Sequence, residues 1–96
     1  VGIGKFELYH SKHLLKFGNE EIQLSQKENK LLALFASQQN EVLGRDHLLK
    51  EIWEDEGVFV GRSLDMFVSK LRKKLIQDPN IQLKNIRGRG YVLQVK

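Results

Sequence analysis

Apolar residues recur along this chain with three different rhythms, and the rhythm changes where the elements change. Near the start they come in short pieces: Phe6 and Leu8, then Leu14, Leu15 and Phe17, then Ile22 and Leu24. Polar turns at His10–Lys12 and Gly18–Glu20 separate them, so residues 3–24 read as short strands of a small antiparallel sheet. Gly2-Ile3-Gly4 ahead of them reads as a flexible chain start. It has two glycines but neither a third nor a following helix, so it is no phosphate loop.

The rhythm then turns helical. Ser25-Gln26-Lys27-Glu28 has the form of a capping box, in which the serine hydroxyl accepts from the N3 amide and the glutamate reaches back to the serine amide. Leu31, Leu32, Leu34 and Phe35 follow as an apolar face, and the helix is expected to fade near Gln38–Asn40. Glu28 has a second reading, as a partner of Arg45 across the first two helices. Val42-Leu43 is too short for more than a strand fragment. Arg45 to Trp53 reads as a short second helix with Leu48, Leu49, Ile52 and Trp53 inward, and Gly44 as its N-cap. The Trp53 indole N–H is then available for a phosphate oxygen. Glu54 to Gly61 reads as a loop with the acidic run Glu54, Asp55, Glu56.

A third helix is expected from about Arg62 to Gln77. Asp78-Pro79-Asn80 stops it, because proline disfavours helical geometry in the residue before it. Leu64, Val68, Leu71 and Leu75 form one stripe at i, i+4, i+7 and i+11. The chain closes on alternating residues, Leu83 to Arg87 and Tyr91 to Val95, around Gly88-Arg89-Gly90, which predicts a hairpin.

Composition narrows the function. The chain has 96 residues, 41% of them hydrophobic, enough for one domain with one core. It has no cysteine, hence neither disulfides nor thiolate metal sites. No apolar run approaches the length of a membrane span and no secretory signal opens the chain, so a cytoplasmic protein is expected. Its start at Val1 rather than methionine reads as a fragment or a processed chain. Residues 1–60 carry seven Lys/Arg against ten Asp/Glu, and residues 61–96 carry nine against two. The overall charge of +4 is therefore concentrated in the last third, where a polyanion would be drawn.

The side of helix three opposite its leucine stripe carries Arg62, Met66, Ser69, Lys70, Lys73 and Gln77. Ser63 and Phe67 flank it on one side and Arg72 on the other. An ordinary surface helix also exposes charge, but Met66 and Phe67 are ill suited to solvation. Both suit thymine methyls in the major groove, which is wide enough to admit a helix. Phe67 also reads as an edge of the core. Arg87 and Arg89 flank Gly88 at the hairpin tip, where an arginine either enters a narrow minor groove or stays solvated. His10 and His13 lack a third ligand and read as solvated turn residues, as His47 does on its helix. Glu20-Glu21 and Asp55-Glu56 are adjacent pairs rather than carboxylates facing across a cleft, and Ser63 with Asp65 lacks a histidine. We therefore expect no enzyme, cofactor, metal or small-molecule substrate.

Several of these motifs, in this order, resemble the C-terminal effector domain of OmpR/PhoB-family two-component response regulators. They are Leu24-Ser25-Gln26-Lys27-Glu28 with Leu31-Leu32, Arg45-Asp46-His47-Leu48-Leu49 through Trp53, and Arg62-Ser63-Leu64-Asp65 with Leu71-Arg72-Lys73-Lys74-Leu75. The last is Ile86-Arg87-Gly88-Arg89-Gly90-Tyr91. The resemblance implies an α+β winged helix-turn-helix with a four-stranded N-terminal antiparallel sheet, three helices and a C-terminal β-hairpin wing. It implies a single domain over 1–96, with a receiver domain upstream. It implies helix three in the major groove of promoter DNA, with Ser63 and Lys70 at phosphates or bases, Met66 and Phe67 over base edges, and Arg87 at the minor groove. Head-to-tail dimers on tandem direct repeats, and an RNA polymerase contact through the Glu54–Glu56 loop, are implied as well. Asn29 replaces the usual apolar residue, which leaves Leu24 without its staple partner, and Gly44 replaces the usual Ser/Thr. The rival reading is a winged helix that binds protein through the acidic loop and wing.

Overall fold

The structure, a computed structural model, describes residues 2–53 and 61–96. The side chains of Trp53, Arg62 and Ser63 lie outside the described set, as do Glu54, Asp55 and Glu56, where a loop was expected.

Four short strands open the chain: β1 (Gly2–Ile3), β2 (Phe6–Tyr9), β3 (Leu14–Phe17) and β4 (Glu20–Gln23). They pair in sequence order as an antiparallel sheet, with Phe6 opposite Phe17 and Leu15 opposite both Leu8 and Ile22. Alternation sends Ile3, Phe6, Leu8 and Leu15 into the core. The Phe6 and Phe17 rings meet at 4.7 Å between centroids. The expectation of a flexible start is corrected here. Gly2 and Ile3 pair with Glu7 and Phe6, and Ile3 is wholly buried. A two-residue strand is too short to show a period, so only its partner reveals it.

Helix α1 (Gln26–Ser37) starts at the expected capping box. The Glu28 amide donates to Ser25 Oγ at 3.2 Å, and the Ser25 amide donates to Glu28 Oε1 at 2.9 Å. Glu28 does not pair with Arg45. Its other oxygen accepts from Lys74 Nζ at 2.7 Å, at the far end of α3. Burial acts to raise the Glu28 pKa, but the Lys74 ammonium and the Ser25 amide and hydroxyl hold it below its ordinary value. At the staple position the buried Asn29 takes a different role: its Nδ2 donates to the His10 carbonyl and ties the 3-10 turn His10–Lys12 to the helix.

Helices α2 (Arg45–Trp53) and α3 (Gly61–Lys74) pack on α1 and on each other. Leu48 and Ile52 of α2 enter the core, and Leu49 is half-buried. The stripe Leu64, Val68, Leu71 and Leu75 is buried throughout. The third helix ends at Lys74, three residues before the expected limit. One more helical bond follows, Leu75 N–H to the Leu71 carbonyl, and then a tighter one, Asp78 N–H to the Leu75 carbonyl. Asp78 then turns its carboxylate onto the amides of Asn80 at 3.0 Å and Lys5 at 2.9 Å. The stop residue is thus also a buried anchor for the β1–β2 turn. The Lys5 amide, then that of Asn80, hold its carboxyl below the ordinary range.

The chain ends in β6 (Ile81–Ile86) and β7 (Gly90–Val95), paired in register from Ile81–Val95 to Ile86–Gly90. This is more than a hairpin. Val42–Leu43 forms β5 and pairs with Val92 and Tyr91, so β7 is the central strand of three. The strict alternation expected of Tyr91, Leu93 and Val95 is therefore blurred, and Val92 is buried too.

At Gly90 (φ +143°) a β-carbon would stand 2.0 Å from the Leu43 carbonyl oxygen. Gly90→Ala should therefore cost about 2 kcal/mol or more in urea denaturation. An unchanged midpoint would show that β5 can move away freely.

Glu28 and Asp78 carry lowered folded-state pKa values. Their stabilisation is complete above the ordinary carboxylate value of about 4 and is lost as pH falls through the lowered folded values. The urea midpoint should fall on acidification below about pH 5, and Glu28→Gln should show a smaller fall. A parent midpoint independent of pH in this range would contradict the assignment.

Candidate nucleic-acid interface

With the stripe buried, the rotational phase of α3 is fixed and its other side is set by arithmetic. Met66, Ser69, Lys70 and Lys73 stand at i, i+3, i+4 and i+7 and are all exposed. Met66 is 49% exposed, a large apolar side chain within a cationic row. Phe67 takes the core-edge place: it is half-buried against the core, and Lys70 Nζ lies 5.3 Å from its ring centroid. That cation–π contact holds the ammonium along the helix surface. Arg62 and Ser63 belong to the first turn of α3 by backbone.

Arg72 differs from the row. Its Nε donates to the Leu83 carbonyl at 3.0 Å, which ties α3 to β6. Gln77 lies beyond the helix end and donates to Glu20 Oε2 of β4 at 3.0 Å. Lys74 bonds both Glu28 and the Gln23 carbonyl. The C-terminal end of α3 is therefore fastened to both sheets.

The wing tip is a tight turn over residues 87–89. Arg89 N–H donates to the Ile86 carbonyl at 2.9 Å, and Gly88 at φ +76° supplies the left-handed residue the turn needs. Arg87 and Arg89 are both exposed. Arg89 also lines, with Gly88, Gly44, Arg45 and Asp46, a shallow cleft between the wing and the start of α2.

The sequence reading missed a cluster at the base of the wing. Arg45 Nη1 donates to Asp65 Oδ1 at 2.7 Å and to Tyr91 Oη at 3.2 Å, and the Tyr91 hydroxyl donates to the same Asp65 oxygen. The Arg45 guanidinium lies 5.8 Å from the Tyr91 ring centroid. Arg45, then Tyr91, hold the Asp65 carboxyl below its ordinary value. Burial, then the Asp65 carboxylate, push the Tyr91 phenol up. One signal was available in the sequence: Asp65 is the lone acidic residue in the basic stretch 61–74.

A helix that buries one stripe, exposes a basic row and stands beside an arginine-tipped hairpin defines a winged-helix domain of the DNA-binding class. Residues 19–93 match the family described as the C-terminal domain of transcriptional regulatory proteins. The chain is 44% identical over 91 residues to the transcriptional regulatory protein RprY of Bacteroides fragilis, covering 95% of this chain and 39% of that protein. It superposes on the DNA-binding domain of CpxR from E. coli with a TM-score of 0.84 at 27% identity, over 99% of this chain and 95% of the other. It superposes on the Klebsiella pneumoniae RstA DNA-binding domain, solved in complex with the RstA box, with a TM-score of 0.79 at 27% identity. That match covers 98% of this chain and 95% of the other. The chain belongs to the OmpR/PhoB-type family of transcriptional-regulator C-terminal domains. It spans about two fifths of the length of the curated relatives it matches. Among the described residues no helix is long and apolar enough to cross a membrane.

Arg72→Ala should cost about 1 kcal/mol of stability through the lost bond to Leu83, measurable by urea denaturation. No change would return Arg72 to the exposed basic face alone.

Proposed function

We propose that this chain is the promoter-binding output domain of a cytoplasmic two-component response regulator, working without catalysis, cofactor or small-molecule substrate. The observation that carries this reading is the exposed row Met66, Ser69, Lys70 and Lys73 on α3, with Arg87 and Arg89 at the tip of the neighbouring wing. In the proposed complex α3 enters the major groove. Ser63 and Lys70 meet phosphates or bases, and Met66 and Phe67 lie over base edges. Arg62, Ser69 and Lys73 extend the same face, and Arg72 stands at its flank with one nitrogen committed to Leu83. Arg87 enters the minor groove and Arg89 stands at its rim. Trp53 offers its indole N–H to a phosphate.

The wider setting is part of the proposal. In this reading residues 1–96 form one domain with a receiver domain ahead of it, and relatives longer than the chain leave room for one. Two copies sit head to tail on tandem direct repeats, and Glu54, Asp55 and Glu56 meet RNA polymerase. The RstA domain, solved on its own DNA box, supports duplex DNA as the partner.

Selection from a random duplex pool at moderate salt should enrich two direct half-sites about one helical turn apart. On the enriched duplex, Lys70→Ala and Arg87→Ala should each weaken binding by about 1–3 kcal/mol if the residue reads a base, and affinity should fall steeply with salt. A chain that enriches no sequence, or two variants that bind as the parent does, would overturn the proposed face.

A further inference from the structure

The proposed DNA surface joins two parts of the chain, α3 and the wing tip, that sequence connectivity leaves far apart. Arg72 fastens α3 to β6 at Leu83, three residues before the strand ends at Ile86. Nearer the tip, Tyr91 of β7 lies one residue beyond Gly90, which pairs with Ile86 across the wing turn. The Tyr91 hydroxyl and the Arg45 guanidinium both donate to a single oxygen of Asp65. Three elements thus converge on one carboxylate: the start of α2, the first half of α3 and the base of the wing.

We infer that Asp65, Arg45 and Tyr91 form a clamp that sets the pose of the wing relative to α3, making Asp65 and Tyr91 positioning residues for DNA recognition. This rests on the DNA-binding reading above.

Charge and geometry both support it. An aspartate on an otherwise cationic helix would oppose a phosphate backbone, and Arg45 at 2.7 Å offsets that charge. The phenol is protonated and the carboxylate ionised at neutral pH, so donor and acceptor roles are fixed. Tyr91 is buried, and the Arg45 guanidinium lies over its ring. Arg87 lies four residues from Tyr91, so a small rotation at the base displaces the guanidinium at the tip. Coupled polar networks of this kind are apportioned only by double-mutant cycles.

The test uses the chain 1–96 and the duplex that it selects. Tyr91→Phe removes the hydroxyl and keeps the ring; Asp65→Asn removes the charge and keeps the shape. Each is measured alone, with Arg87→Ala and with Lys70→Ala, at a temperature where circular dichroism shows every variant folded. Tyr91→Phe should weaken binding about tenfold. Arg87→Ala should cost about tenfold in the parent but under about threefold in Tyr91→Phe, because a displaced wing no longer delivers Arg87. Lys70→Ala should cost the same in both backgrounds. Asp65→Asn should reproduce the coupling, and it serves alone if Tyr91→Phe does not fold. Losses that are additive for both partners, or a Tyr91→Phe that binds as the parent does, would overturn the clamp and leave the DNA reading intact. A parent that selects no duplex would overturn the DNA reading, and the clamp with it.

Discussion

The buried stripe of α3 is the constraint from which the other features follow. Leu64, Val68, Leu71 and Leu75 are buried in the common core with residues of α1, α2 and both sheets. Burying four aliphatic side chains at helical spacing fixes the rotation of the helix about its axis as well as its position. Once that rotation is fixed, Met66, Ser69, Lys70 and Lys73 have no direction available except outward. The exposed basic row is in this sense the complement of the core.

Position along the axis is fixed by polar contacts at both ends. At the C-terminal end Lys74 joins Glu28 and the Gln23 carbonyl, while Arg72 joins the Leu83 carbonyl. In the first half Asp65 joins Arg45 and Tyr91. Lys74 is mostly withdrawn from solvent and its partner Glu28 is buried, so this pair is less screened than a surface ion pair. Glu28 also closes the capping box, so one carboxylate serves the start of α1 and the end of α3 together. Losing it would leave two amine or amide donors without their acceptor, a heavier consequence than the loss of a surface charge.

The departures from the family pattern find structural explanations away from the exposed row. Asn29 replaces a hydrophobic-staple partner with a hydrogen bond to His10, and Leu24 stays buried without it. Gly44 gives α2 no side-chain cap, yet its carbonyl accepts the first helical bond from Leu48 at 3.0 Å. It also lies at the close approach of β5 to Gly90, where a neighbouring strand leaves little room. The wing is correspondingly firmer than a free hairpin, because β5 pairs along the outer side of β7.

Much of this architecture was legible residue by residue because its signals are local. The Ser25–Glu28 box, the α3 stripe and the Gly88 turn each act within a few residues, where steric and capping rules operate. The basic face of α3 followed from the same periodicity. Other features depend on residues that the chain brings together from afar. Ile3 is a strand residue only because Phe6 lies opposite, and Val42-Leu43 only because β7 does. Asp78 meets Lys5 across 73 positions, Glu28 meets Lys74 across 46, and Arg45 meets Tyr91 across 46. A charged side chain carries no mark of its partner, so Glu28 could be assigned to Arg45 as readily as to Lys74. The sequence by itself determined the helices, the longer strands, the buried stripe and the cationic face, because propensity and period are properties of neighbours. Only the tertiary structure decided which acid meets which base and how the wing is tied to the helix, because those pairings depend on distances that folding creates.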